Sequence, residues 1–193
     1  MDTQNPNGLV PTKRIIVLID LAGYAKAFQS EGDVKMVAFL QDYYTECEKV
    51  IAARGGTIVK FIGDACLAVF LPDQAKSALE AVLELRPTIN TIAATYQVSV
   101  APGANLHLTS AIEAEFGTGP SRRRDILGRG VNQTFLLGRG AGIRISEPVY
   151  RTLPSVMRSA WSKHKPPAVY HLNGTDGIYE GRGKPPSANA SRW

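Results

Sequence analysis

The residues predict a mixed α/β (α+β) domain, and three observations carry that prediction. Arg14–Ile19 is a continuous apolar run of the kind found in strands buried on both faces. Thr57–Leu71 reads as a β-hairpin, with Ile58, Phe61, Ile62, Leu67, Val69 and Phe70 as its apolar body and Gly63-Asp64 as a two-residue reversal. Between them, residues 33–54 carry Val37, Leu40, Tyr44, Cys47 and Ile51 at spacings of three and four, the period of an amphipathic helix whose stripe is core.

Taken in order, residues 1–13 read as a flexible lead-in, residues 14–172 as the folded domain and residues 173–193 as a flexible tail rich in Gly, Pro, Ser and Asn. After the first strand, Tyr24–Gln29 predicts a short helix that Ser30-Glu31-Gly32 interrupts. Asp33 is the expected N-cap of the long helix, and Gly55-Gly56 ends it and launches the hairpin. Pro72-Asp73 opens a second helix from Gln74 to about Arg86, with Ala75, Ala78, Leu79, Val82 and Leu85 on one side. Pro87 is expected to kink it or to start a new segment running to about Tyr96.

Pro102-Gly103-Ala104-Asn105 reads as a break before a strand over 106–116 with room for a bulge, and residues 117–121 as a turn. Residues 122–127 predict the next strand or its lip, 131–137 a short helix, 142–146 a strand, 147–153 a helix and 169–172 the strand that closes the sheet.

A chain of 193 residues with 44% apolar and 20% charged residues is expected to be one ordinary globular domain. Cys47 and Cys66 give no disulfide framework or metal spacing and read as buried free thiols in a reducing compartment. No apolar run of about 18 residues and no signal-peptide core occurs, so a soluble, cytoplasmic domain is expected. The net charge of +5 and pI near 9.3 raise nucleic acid as a partner. The basic residues are scattered, however, and the Gly-Arg-Gly triplets at 128, 138 and 181 have irregular spacing without interleaved aromatics, so no nucleic acid is expected. His107, His164 and His171 lack metal-ligand spacing, and no nucleophile elbow or Walker-type loop is present.

The chemistry lies in two carboxylates. Asp20 ends the buried strand and enters Leu21-Ala22-Gly23-Tyr24, a Gly-containing turn whose backbone N–H groups suit phosphate. Asp64 projects from the hairpin tip. If the strand and hairpin lie side by side, the two acids converge, and such oxygen ligands suit Mg²⁺ or Mn²⁺. A pair of these ions about 4 Å apart activates a hydroxyl and holds a triphosphate leaving group.

Three runs, Val17–Tyr24, Gly55–Phe70 and Asp125-Ile-Leu-Gly-Arg-Gly-Val-Asn132, resemble in sequence and order the catalytic domain of class III nucleotidyl cyclases, over about residues 14–172. The resemblance implies a ferredoxin-like βααβ-βαβ domain with a mainly antiparallel sheet, a head-to-tail homodimer, and conversion of a nucleoside triphosphate to a cyclic 3′,5′-monophosphate and pyrophosphate. It also implies roles. Asp20, Asp64 and the Leu21 carbonyl of one subunit would hold two divalent ions, while Lys60, Asp125 and Asn132 of the other would place the nucleoside.

A lysine donating to adenine N1 and an aspartate accepting from its amine make ATP the expected substrate, since guanine reverses that pattern and the guanylate-forming members usually carry glutamate at the lysine position. The sequence departs from the family where an arginine is expected four residues past Asn132. Leu136 stands there and suggests core packing. Arg139 returns to the same side if the helix continues; its flanking Gly138 and Gly140 argue that the helix has ended, and they permit a bend that carries it inward. Glu113 stands near the place of a second phosphate-binding arginine. A weakly active enzyme, an enzyme with a substitute arginine, and a nucleotide-binding regulatory module without turnover all remain open.

Overall fold

In this computed structural model, residues 8–164 and 168–175 are described. The strands are β1 (Thr12–Ala22), β2 (Thr57–Ile62), β3 (Ala65–Phe70), β4 (Ala101–Phe116), β5 (Arg123–Leu127), β6 (Gly142–Ser146), β7 (Trp161–His164) and β8 (Val169–Leu172). The helices are α1 (Tyr24–Glu31), α2 (Asp33–Ala53), α3 (Ala75–Thr95), α4 (Arg129–Leu136), α5 (Glu147–Thr152) and α6 (Ser155–Arg158). The sheet runs in the order β2-β3-β1-β4-β6-β8-β7, with β5 paired to the far half of β4.

Every pairing is antiparallel except β4 with β6. The contiguous antiparallel set β2-β3-β1-β4, crossed through α2 and α3, is the expected ferredoxin-like core, and β6, β8 and β7 extend it.

The alternation of side chains along β1 assigns the two faces. Ile15, Val17, Ile19 and Leu21 join the main core beneath α2 and α3, whereas Ile16 and Leu18 join a smaller cluster with Leu67, Val69, Ile126 and Val131. Asp20, next in the alternation after Leu18, therefore belongs to the second face, which carries β5 and α4.

Several elements differ from the sequence expectation. The first strand runs to Ala22 rather than Ile19, because β4 pairs with it residue by residue as far as Ala22 opposite Ala101. The same pairing absorbs 102–105, expected as a break, into β4, and no bulge interrupts it. The close approach of other groups explains the glycine there: a Cβ on Gly103 would lie 2.2 Å from the Gly140 carbonyl oxygen.

The buried stripe of α2 is Met36, Phe39, Tyr43, Cys47, Val50 and Ile51, whereas Val37 is 60% exposed and Leu40 and Tyr44 are half-buried. The stripe expected from the sequence is thus rotated by about one residue, because apolar residues stand side by side across the boundary: Met36 beside Val37, Phe39 beside Leu40, Tyr43 beside Tyr44. The N-cap of α2 is Gly32, with Asp33 in its first turn. Helix α3 continues through Pro87 without a second segment, and Thr91 Oγ1 donates to the Pro87 carbonyl.

Strand β7, rather than β8, is the outer edge of the sheet. Its alternation is hidden in a charged stretch in which Trp161 alone is apolar and buried. The expected lead-in and tail contribute partly: Thr12 and Lys13 pair within the sheet, and Thr175 is 7% exposed with its hydroxyl accepting from the Ile143 N–H. Of both expectations, 1–7 and 176–193 lie outside the described residues.

His107 on β4 titrates below its ordinary value of 6.5 because burial disfavours the imidazolium; its Gln133 contact works weakly the other way. The unfolded chain thus binds that proton more readily. The resulting stabilisation is present above pH 6.5 and is lost as the pH falls through the lower folded value. His107→Gln is expected to flatten the fall in melting temperature between pH 7 and pH 5, measured by circular dichroism.

Candidate active site

The antiparallel β1–β3 register pairs Ile19 with Cys66. Two residues further along, it sets Asp64 at the hairpin tip opposite Leu21. The Leu21 N–H donates to Asp64 Oδ2 at 3.1 Å. In an extended strand a residue's N–H and C=O face the same neighbour, so the Leu21 carbonyl also faces the tip.

Asp20 and Asp64 line one cavity of about 420 Å³ with Leu21, Ala22, Tyr24, Phe135, Leu136 and Arg139. The Tyr44 hydroxyl donates to the Gly63 carbonyl, and its ring stacks on Phe61 at 3.9 Å, so the tip is held from beneath. Burial, reinforced by the Asp64 charge, raises the phenol pKa of Tyr24 above its ordinary value. It does the same for Tyr44, where Tyr24 also contributes.

Asp20 stands inside β1 rather than after it, and the turn expected to offer phosphate donors is partly used. The Leu21 N–H is taken by Asp64, and Ala22 is buried in the strand. Gly23, at φ 89°, begins α1, and its Cβ-less α-carbon sits against the Ser99 carbonyl. Tyr24 remains at the cavity wall.

Cys47 and Cys66 are both buried free thiols beneath this region. A hydrogen bond to Cys47, together with burial, pushes the Cys66 pKa far up, so it stays protonated.

Lys60 and Asp125 meet on the same sheet face. Lys60 lies opposite Leu67, past an irregularity between Ile58 and Lys60, and its Nζ is 2.6 Å from Asp125 Oδ2. Asp125 lines a separate cleft of about 210 Å³ with Thr57, Ile58, Val59 and Ile126. One chain therefore brings Asp20 to Asp64 in one cavity and Lys60 to Asp125 beside the other, which Asp125 lines. Glu113, in the second cleft, is clamped by Arg14 at 2.6 Å and Arg124 at 2.8 Å.

Helix α4 turns Asn132 and Leu136 outward. Leu136 is 74% exposed and does not pack in the core; it lies on the cavity wall beside Phe135. The helix ends at Leu136, as the glycines imply, and the backbone beyond it bends so that Arg139 lines the cavity of its own chain's Asp20 and Asp64. Among the described residues Arg139 forms no ion pair through its side chain. Sequence reading missed Asn105 and Arg144. Both are polar residues in interior strands, buried on this face, and that pattern was the available signal.

No protein-family model matches the chain. An adenylate cyclase of Anabaena cylindrica is 25% identical over 160 residues, covering 76% of this chain; the chain spans about a third of the length of that curated relative (32%). Among solved structures, the adenylyl cyclase CyaB from P. aeruginosa superposes with a TM-score of 0.74 at 16% identity, over 87% of this chain and 97% of that one. The guanylyl cyclase Cya2 also gives 0.74, at 18% identity over 90% and 98%. A rhodopsin-guanylyl cyclase core with converted specificity, in complex with ATPalphaS, gives 0.72 at 19% identity over 86% and 98%. With its three motifs in order along that fold, this chain has the architecture of the class III nucleotidyl cyclase catalytic domains, adenylyl and guanylyl, that it resembles in sequence.

Proposed function

We propose that this domain is an adenylate cyclase that converts ATP to 3′,5′-cyclic AMP and pyrophosphate as a head-to-tail homodimer. The observation that carries the reading is the pair Asp20 and Asp64 lining one cavity at the C-terminal end of β1, with Leu21 between them. A substrate triphosphate needs cations and the cavity offers carboxylates.

The donor set fits Mg²⁺ or Mn²⁺. Among the described residues no group of three or more His, Cys, Asp or Glu forms a closed cage. Two carboxylates and a carbonyl suit a hard cation that keeps waters and takes phosphate oxygens. Asp20, Asp64 and the Leu21 carbonyl would hold two such ions. When bound, they lower the pKa of the ribose hydroxyl and neutralise the leaving pyrophosphate.

The chain's own residues do the rest. The Asp64 carboxylate stays in place because Leu21 N–H holds one oxygen. Lys60 donates to adenine N1 and Asp125 accepts from the amine, so their 2.6 Å pairing in one chain is a preformed reader of the base. Asn132, exposed on α4, orients the ribose of a nucleotide whose phosphates lie on the partner subunit's Asp20 and Asp64. The base-reading pair and the carboxylate cavity of one chain are separate, so a site is completed across the interface, and two-fold symmetry makes two such sites. The 3′-hydroxyl gives up its proton to solvent, and its oxygen bonds the α-phosphorus in line as the bond to the pyrophosphate oxygen breaks and the electron pair leaves with pyrophosphate.

A direct test is cyclic AMP formation by purified protein with Mn²⁺ and ATP, together with its concentration dependence. Turnover that rises with dimer formation supports the reading; its absence at high protein concentration overturns it. Leu136 supports a second reading, a nucleotide-binding regulatory module, because an apolar side chain occupies the place of a charge-stabilising donor. That reading predicts metal-dependent ATP binding without product. On the enzyme reading Arg139 already supplies the charge, and Leu136→Arg is expected to change the rate by less than about tenfold, where an empty donor position would yield about 10²–10³.

A further inference from the structure

We infer that Arg144 is a positioning residue that holds Arg139 in the carboxylate cavity, a role that rests on the cyclase reading and deepens it. Arg144 lies in the interior strand β6, opposite Asn105 on β4 and His171 on β8, and is 6% exposed. A guanidinium there must be supplied with acceptors. Four consecutive carbonyls provide them. Arg144 Nη2 donates to the Arg139 carbonyl at 2.7 Å and to the Ala141 carbonyl at 3.0 Å. Nη1 donates to the Gly140 carbonyl at 3.2 Å and the Gly142 carbonyl at 3.5 Å.

The other end of the segment is tied as well. Asn105 Nδ2 donates to the Thr134 carbonyl at 3.0 Å and to the Gly138 carbonyl at 2.9 Å, fixing the end of α4 where the loop leaves it. A Cβ on Gly138 would come 2.2 Å from Arg144 Cδ, so the arginine stem runs directly against that α-carbon.

Gly138, Gly140 and Gly142 give this segment large backbone freedom, with Gly140 and Gly142 at φ 78° and 115°. Left untied, it would have to be ordered when nucleotide binds. With the peptide planes of 139–142 turned toward one guanidinium, the α-carbon of Arg139 is set before substrate arrives. The loop also abuts Asp20, since a Cβ on Gly103 would meet both the Gly140 carbonyl at 2.2 Å and Asp20 Oδ1 at 2.7 Å. Lysine cannot replace the clamp, because one ammonium lacks the planar fork that reaches four carbonyls.

The test is a double-mutant cycle on the dimeric protein with Mn²⁺ and ATP, with melting temperatures recorded in parallel. Arg139→Ala is expected to lower turnover about 10²-fold or more, the cost of one charge-stabilising donor. Arg144→Lys is expected to lower it about tenfold, with the Michaelis constant moving less. If Arg144 acts through Arg139, adding Arg144→Lys to Arg139→Ala lowers turnover no further. Equal loss in both backgrounds, or a correctly folded Arg144→Lys protein at wild-type rate, overturns the inference and leaves the cyclase reading intact.

Should Arg144→Lys fail to fold, Gly138→Ala, whose methyl displaces the Arg144 stem, enters the same cycle. If the wild type binds Mn²⁺–ATP without turnover, the cycle is read in affinity. A wild type without turnover overturns the cyclase reading, and one that shows neither turnover nor Mn²⁺–ATP binding overturns the role given to Arg144 as well.

Discussion

Asp20→Asn is expected to lower cyclic AMP formation about 10³-fold or more while leaving the melting temperature nearly unchanged. The carboxamide is isosteric, and β1 is held by its neighbours' pairing with β4 on one side and β3 on the other, so the strand survives. What is lost is one negative charge facing the ions, and a few kcal/mol of transition-state stabilisation corresponds to that factor. Asp64→Asn is expected to behave alike, because its remaining carbonyl oxygen still accepts from the Leu21 N–H. Rates measured across Mn²⁺ concentration check both. A variant retaining more than about a tenth of wild-type turnover would remove the metal role from that aspartate.

The second large effect concerns the base. Lys60→Glu alone is expected to lower kcat/KM for ATP about 10²-fold, because the donor to adenine N1 disappears and two carboxylates then face each other where an ion pair stood. Adding Asp125→Ser removes that repulsion and offers a donor to guanine O6, while the glutamate accepts from guanine N1–H. The double variant is expected to shift the ATP-to-GTP ratio of kcat/KM by about 10²–10³ toward GTP, since hydrogen-bonding groups reject a mismatched partner strongly. Competition assays with both nucleotides measure the ratio, and an unchanged ratio would take base selection away from Lys60 and Asp125.

Much of this site was legible because its chemistry is local. The run ending at Asp20, the Gly63-Asp64 reversal and the Asp125–Asn132 motif each announce their residues within a few positions. The features that sequence reading misplaced are non-local. Residues 102–105 look like a break until β1 imposes its pairing on them. Strand β7 carries one apolar residue and becomes a strand because β8 offers it an edge. Leu136 reads as core from its side chain alone, yet α4 packs through Val131 and Thr134 and turns Leu136 out.

The sequence by itself determined the mixed α/β class, the hairpin with its acid tip and the family resemblance, since strand hydrophobicity, turn chemistry and motif order are properties of neighbouring residues. Only the tertiary structure decided that Asp20 and Asp64 share one cavity and that Lys60 meets Asp125. It also decided that Arg139 lines the cavity of Asp20 and Asp64 and that the carbonyls of 139–142 gather on Arg144. Those juxtapositions join residues far apart along the chain, 65 positions in the case of Lys60 and Asp125, and strand register and burial fix them in a way that no local pattern encodes.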